Sequence, residues 1–344
     1  MRSTDRLARA CDAVLAPAAG TLFTAAVARV ERGGELVCER AYGVTRADDP
    51  VPVYVDTRFD LASLTKLFVS TIALRMAAAD LWDLDGPPGV FDAWRTGPKA
   101  AITARMLLAH TSGMHSGADY RTLFDRNVLA FALERELAAA PGERVLYSDL
   151  GMIALGAAIE RMEGRSLAAS VAAHFGRPTL RFDVGARERR GIPATEEDGW
   201  RGRVQGVVHD EKAYLMGGAS GHAGLFGTAS DVAALAEAYL APHAGRRSTL
   251  LADALALEAV REAAFDPVLR RGLGWALKTS DENSCGRRFS PASFGHTGFT
   301  GTCVWADPAR DVQAVLLTNT VYFGRSDSRP LRAAFYDAVI ETLD

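Results

Sequence analysis

Ser63 and Lys66 stand three residues apart in Asp60-Leu61-Ala62-Ser63-Leu64-Thr65-Lys66, where an extended pattern gives way to a helical one. Three residues is close to one helical turn, so both side chains leave the same face and can touch. A hydroxyl beside an amine is the smallest pair that makes an activated nucleophile. An amine desolvated enough to lose its charge can take the serine proton near neutral pH. The first turn of a helix adds free backbone N–H groups and a positive dipole end, which suit an oxyanion. Ser-x-x-Lys also arises by chance on surface helices, so the pair needs partners elsewhere in the chain.

Two other segments offer them. Tyr147 lies after the Pro141-Gly142 turn and just before a helical pattern that starts near Asp149. A phenol held beside cations gives up its proton more readily and can shuttle protons. The second segment is Phe294-Gly295-His296-Thr297-Gly298-Phe299-Thr300-Gly301. Its glycines suit a strand edge that a substrate backbone approaches closely. His296 and Thr297 can donate hydrogen bonds there to a carboxylate or carbonyl.

Ser63-Leu64-Thr65-Lys66, Tyr147-Ser148-Asp149 and His296-Thr297-Gly298 resemble, in order and spacing, the Ser-x-x-Lys, Tyr-x-Asn and Lys-Thr-Gly motifs of the penicillin-recognising serine enzymes. That superfamily includes class C β-lactamases, DD-peptidases, family VIII esterases and transacylases. Leu107–Met114 and Gly224–Asp231 are also similar to segments of this group, and the likeness runs from about residue 20 to 340. It implies an α/β (α+β) fold of the β-lactamase/transpeptidase kind, an antiparallel sheet flanked by helices with an inserted all-α domain. It implies acyl transfer through Ser63, proton handling by Lys66 and Tyr147, and an oxyanion hole from the Ser63 and Phe299 N–H groups. No cofactor and no metal are implied. Asp149, His296, Thr297, Gly298 and His222 are the expected substrate-binding residues.

Two positions depart from the β-lactamase pattern. Asp149 replaces the Asn of the second motif. Its carboxylate either pairs with Lys66 and favours the charged amine, or pairs elsewhere and leaves the amine neutral. His296 replaces the Lys of the third motif and weakens the positive charge that meets an antibiotic carboxylate. Val208-His209-Asp210-Glu211 and Gly217–Gly224 look like a subgroup linked to cell-wall turnover. The expected function is therefore a serine hydrolase cleaving an amide or ester, on peptidoglycan-derived or small ester substrates. The alternatives are a transacylase, a true β-lactamase or DD-peptidase, and a non-hydrolytic penicillin-binding sensor. His209, Asp210, Glu211 and His222 have metal-ligand chemistry, but read better as a hydrogen-bonded clamp lining the pocket. His110 reads as a structural loop residue, and Trp200 or Phe299 as a pocket wall.

The elements that must position these groups follow from periodicity. Residues 3–16 form an amphipathic pattern, and 23–30 and 35–42 read as strands around the Arg32-Gly33-Gly34 hairpin signal. Helical patterns follow at 63–79, 103–109, 121–140, 149–162 and 166–175, then at 230–240 and 331–343. Strand patterns lie at 272–278, 301–306 and 312–318, and 181–210 reads as a long connection outside the core. This order predicts an α/β domain from residues 1–80 and 205–344 and a helical domain from 81–204. The 344 residues are 48% hydrophobic and 24% charged with a formal net charge of −3, an ordinary globular composition. No basic run points to nucleic acid, and no apolar run is long enough for a membrane span. The four cysteines lack Cys-x-x-Cys spacing and read as buried thiols. The N-terminus shows no signal-peptide pattern, so the expected location is cytoplasmic, or periplasmic or secreted if a leader was trimmed. The expected partner is a small acyl substrate.

Overall fold

The computed structural model describes residues 3–268 and 270–344. Helix α1 (Ser3–Leu15) leads into the hairpin β1 (Ala25–Arg32) and β2 (Glu35–Gly43). Gly33 and Gly34 turn the hairpin with φ of +64° and +80°, the left-handed pair a tight two-residue turn requires. A short strand β3 (Phe59–Asp60) and a 3-10 turn at Ala62–Leu64 precede α2 (Thr65–Ala78). Next come α3 (Ala104–Leu108), α4 (Val128–Glu134), α5 (Asp149–Glu163) and α6 (Leu167–Phe175). The short strands β4 (Glu197–Asp198) and β5 (Gly202–Arg203) pair with each other, and α7 (Glu211–Leu215) follows. Strand β6 (Phe226–Gly227) pairs with β3, then α8 (Ala229–Leu240) and α9 (Asp253–Ala259) lead to β7 (Ala276–Leu277). The chain ends with β8 (Phe294–Thr297), β9 (Cys303–Asp307), β10 (Val312–Thr318) and α10 (Arg329–Leu343).

The main sheet is antiparallel in the order β2-β1-β10-β9-β8-β7, so both ends of the chain build it. Side chains alternate faces along a strand, and the core divides accordingly. Ala26, Ala28 and Val30 of β1 and Ala314 and Leu316 of β10 meet Leu7, Cys11 and Leu15 of α1 and Phe335 and Val339 of α10. Ala25, Val27, Val315 and Leu317 face the other way, into a larger core that holds α2, α5 and α8. Two-sided burial explains why β1 and β10 read as near-continuous apolar runs. Helix α2 is buried almost all round, as a helix without a polar face must be.

The long helix expected over 121–140 does not form. Residues Tyr120–Leu123 make a 3-10 turn, and α4 starts only where Asn127 Oδ1 accepts the Ala130 N–H at 2.8 Å. Arg135, with ψ of 133°, ends it. The 272–278 pattern yields only the two paired residues of β7. The 181–210 connection is partly core: Ile192, Ala194 and Thr195 are buried, and Asn319 Nδ2 donates to the Ala194 carbonyl at 2.7 Å. All four cysteines are free and buried. Among the described residues no helix is long and apolar enough to cross a membrane.

Candidate active site

Ser63 lies in the 3-10 turn and Lys66 in the first turn of α2. The turn is held from two sides. Asp60 accepts the Ala62 N–H at 2.8 Å and the His209 N–H at 2.6 Å, while the Thr300 and Thr302 hydroxyls donate to the Asp60 and Leu61 carbonyls at 2.9 and 3.0 Å. Ala62, directly before the nucleophile position, takes φ of +46°, a conformation that costs on the order of 1–3 kcal/mol and persists only where the surroundings enforce it. Gly298 shows how close β8 comes: a Cβ there would sit 2.1 Å from Thr302 Oγ1 and 2.7 Å from the Leu61 carbonyl. Only a residue without a side chain lets the end of β8 lie against the Ser63 turn.

Lys66 is fully buried. Its Nζ donates to Ser63 Oγ and to the His222 carbonyl, both at 2.9 Å, and stands 3.0 Å from Asp149 Oδ1. Burial pushes the amine toward neutrality, but Asp149 and Tyr147 outweigh it and hold its pKa above the usual lysine value. Of the two sequence alternatives for Asp149, pairing with Lys66 is the one the structure adopts, and Lys66 is an ammonium at neutral pH. Burial also pushes the Asp149 carboxyl up, yet Lys66, His222 and Lys212 hold it below the usual carboxylate range.

Asp149 opens α5, whose cap is Ser148: its hydroxyl accepts the Gly151 N–H at 2.9 Å and donates to the His115 carbonyl at 2.7 Å. This cap places Tyr147 directly before the capping residue of the helix. His110 clamps the same segment, since its carbonyl accepts the Leu146 N–H at 2.7 Å and its Nδ1 accepts the Ser148 N–H at 3.1 Å. Its ring also lies 4.7 Å from that of Tyr147. His110 is thus the structural loop residue expected, and it supports Tyr147 directly.

The expected clamp forms between Asp210 and His222. Asp210 caps α7 by accepting the Ala213 N–H at 2.9 Å, and its Oδ1 lies 2.8 Å from His222 Nε2. The other imidazole nitrogen meets Ser220 Oγ at 2.8 Å. His222 is buried and reaches neither recess beside Ser63, so its expected side-chain contact with substrate is corrected. It contributes its carbonyl, which accepts from Lys66. Lys212, which sequence reasoning missed, stands 3.1 Å from Asp210 and 3.5 Å from Asp149. Ligand atoms of Asp149, Asp210 and His222 lie within 4.8 Å of one another. Lys66 already sits against Asp149 and Lys212 against both carboxylates, so this donor set is a salt-bridge network and does not fit a further cation. His209 and Glu211 leave the cluster: His209 Nε2 lies 3.0 Å from Glu196, and Glu211 pairs with Arg325 at 2.8 Å.

On the opposite wall, His296 is buried in β8 with Nδ1 2.8 Å from the Thr297 carbonyl. Burial, with Arg271 and Lys66 nearby, lowers its pKa to about 3. The neutral ring must donate through Nδ1 to a carbonyl, which leaves Nε2 as an acceptor. The donor role expected for His296 is therefore spent within the chain. Ser63 sits on the divide between two recesses of ≈ 540 and ≈ 270 Å³ that share Tyr147, Phe299 and Arg325. Thr297, Gly298 and His296 line the larger, and Asp149 and Lys212 the smaller. Phe299 is 55% exposed and walls both. Trp200 lines neither recess and stacks on Tyr120 at 5.5 Å.

A nucleophile with a buried ammonium at its oxygen, a phenol beside it and a strand edge opposite are what the β-lactamase fold assembles, and the chain belongs to the β-lactamase family, whose profile matches residues 14–338. It is a serine hydrolase of that family. The chain is 29% identical to the N-acetylmuramyl-L-alanine amidase of Bacillus subtilis (strain 168), over 86% of this chain and 77% of the amidase. It is 31% identical to the esterase EstB of Burkholderia gladioli, over 91% and 90% of the two chains. The solved structure of EstCE1, a hydrolase with promiscuous acyltransferase activity, superposes with a TM-score of 0.80 at 22% identity, covering 98% and 99% of the chains.

Proposed function

We propose that the chain cleaves an amide or ester of a small acyl substrate through an acyl-Ser63 intermediate. Ser63 Oγ attacks the carbonyl; Tyr147 Oη takes the serine proton as it hands its own phenolic proton to the leaving nitrogen or oxygen, so the phenol is neutral before and after. The Lys66 ammonium, held by Asp149, orients Ser63 and offsets the negative charge that develops. The Ser63 and Phe299 N–H groups receive the oxyanion, donors of a kind worth about 3–4 kcal/mol each. Water then attacks the acyl carbon, its proton passing through Tyr147 Oη to Ser63 Oγ as the acyl–oxygen bond breaks, and the acid leaves. The observation that carries this reading is the 2.9 Å contact of buried Lys66 with Ser63 at the divide between the two recesses. One recess is available to the acyl part and the other to the leaving group. The relatives support two substrate classes, muropeptide fragments and short esters.

The test is turnover of p-nitrophenyl butyrate, a chromogenic cephalosporin and a muramyl-L-alanine peptide by wild type and Ser63→Ala. Wild type is expected to hydrolyse at least one and to show an acyl adduct on Ser63 by intact mass. No turnover of any substrate, together with no adduct, would sink the reading.

A further inference from the structure

Three buried side-chain nitrogens on the β8 side of the cleft have no hydrogen-bond partner among the described residues: His110 Nε2, His296 Nε2 and Arg271 Nε. All three side chains surround one ring. The His110 and His296 rings lie 4.7 and 5.9 Å from that of Tyr147, and the Arg271 guanidinium stands 5.1 Å over it. Lys66 Nζ is 4.9 Å from the centre of the same ring.

These neighbours differ in charge. The Lys66 ammonium is matched by Asp149 at 3.0 Å. His110 and His296 are both held neutral, first by burial and then by the nearby Arg271. Arg271 is only 5% exposed, feels the Tyr147 phenol and the Asp266 carboxylate, and remains a cation because a guanidinium does not deprotonate in proteins. A buried cation over an aromatic face is attracted to the ring, more strongly when desolvated. Arg271 reaches this place through bridges to Ala264 and Ala276, the latter in β7, which pairs with β8.

We propose that Arg271 is a positioning residue for Tyr147: its guanidinium holds the phenol ring toward Ser63 and supplies the positive charge on that wall which His296 does not carry. The inference rests on the reading of Tyr147 as the proton relay. It predicts an effect on the rate of every substrate, independent of the substrate's own charge.

The test compares wild type, Arg271→Ala, Arg271→Met, Arg271→Lys and Ser63→Ala on p-nitrophenyl butyrate, a neutral ester. Arg271→Ala is expected to lose about 10- to 100-fold in kcat, the scale of one desolvated cation–ring contact. KM should stay within about threefold, because the interaction is made with the enzyme and not with the ester. Arg271→Lys should retain most of the rate. Millimolar guanidinium chloride should restore part of kcat to Arg271→Ala, while sodium chloride at equal concentration should not. If Arg271→Ala fails to fold by circular dichroism, Arg271→Met, which keeps an unbranched apolar stem without the charge, provides the same reading with Arg271→Lys as its charged control. The inference is overturned by wild-type kcat in a folded Arg271→Ala or Arg271→Met. It is equally overturned by a rise in KM alone, which would make Arg271 a substrate contact, or by a loss that neither lysine nor guanidinium recovers. Ser63→Ala separates the two readings: if it stays active the acyl-Ser63 mechanism fails, whereas an inactive Ser63→Ala beside an unimpaired Arg271→Ala removes Arg271 alone.

Discussion

The two walls beside Ser63 are built on opposite electrostatic plans. On the α5–α7 side every charge has a partner: Asp149 with Lys66 and Lys212, Asp210 with Lys212 and His222. On the β8 side two imidazoles are kept neutral and three nitrogens around Tyr147 have no partner among the described residues. The paired wall favours the charged form of Lys66 beside Ser63. Among the described residues the open wall holds one unpaired acceptor, His296 Nε2, and two unpaired donors, Arg271 Nε and His110 Nε2, since the His110 ring accepts through Nδ1. Pairing makes one wall rigid in charge, and unmet hydrogen bonds make the other responsive to what enters the cleft. A buried polar atom without a partner costs on the order of 1–3 kcal/mol, so the open wall is the less stable of the two.

The largest loss should follow from emptying the paired wall of its cation. Lys66→Ala is expected to cut kcat by about 10²–10⁴-fold while the protein stays folded; an unchanged rate would take Lys66 out of the mechanism. Asp149→Asn keeps the shape and removes the counter-charge of a buried ammonium. A one-sided break of a buried pair costs on the order of 3 kcal/mol, to be read as a lower urea midpoint. If stability does not change, Lys66 is not held by Asp149.

The open wall should resist an added charge. His296→Lys places a third cation near Arg271 and Lys66 and should cost on the order of 2 kcal/mol or more. Arg271→Met in the same chain should recover most of it, and simple additivity of the two changes would show that the residues do not interact. The smallest effect concerns pH. His296, with its pKa near 3 in the folded chain against 6.5 ordinarily, and His110, also lowered well below 6.5, stay neutral while an unfolded chain takes up protons. Stability therefore falls as pH drops from about 6.5 toward 3, by at most about 1.4 kcal/mol per pH unit for each ring. Urea midpoints at pH 7 and pH 5 should differ by less in His296→Gln than in wild type; an equal difference would mean that His296 does not titrate on unfolding.

Much of this was readable from residue order. The strand over 312–318, the helices at 149–163 and 167–175 and the Gly-Gly hairpin follow from local periodicity and turn chemistry, which tertiary contacts reinforce. The 121–140 pattern failed because its apolar residues serve two short elements separated by the Asn127 cap. Ser63, Lys66 and Tyr147 were visible because motif spacing survives without coordinates. Arg271 and Lys212 carried no such signal, being ordinary basic residues far along the chain from Tyr147 and Asp149 respectively.

Residue types and spacing thus put Ser63 beside Lys66 and pointed to the family, because a turn of helix and an ordered set of motifs are local properties of the chain. The charge of Lys66, the neutrality of His296 and the neighbours of Tyr147 were settled by folding. Those properties depend on burial and on distances between residues scores of positions apart, and such distances exist only once the sheet has brought both ends of the chain together.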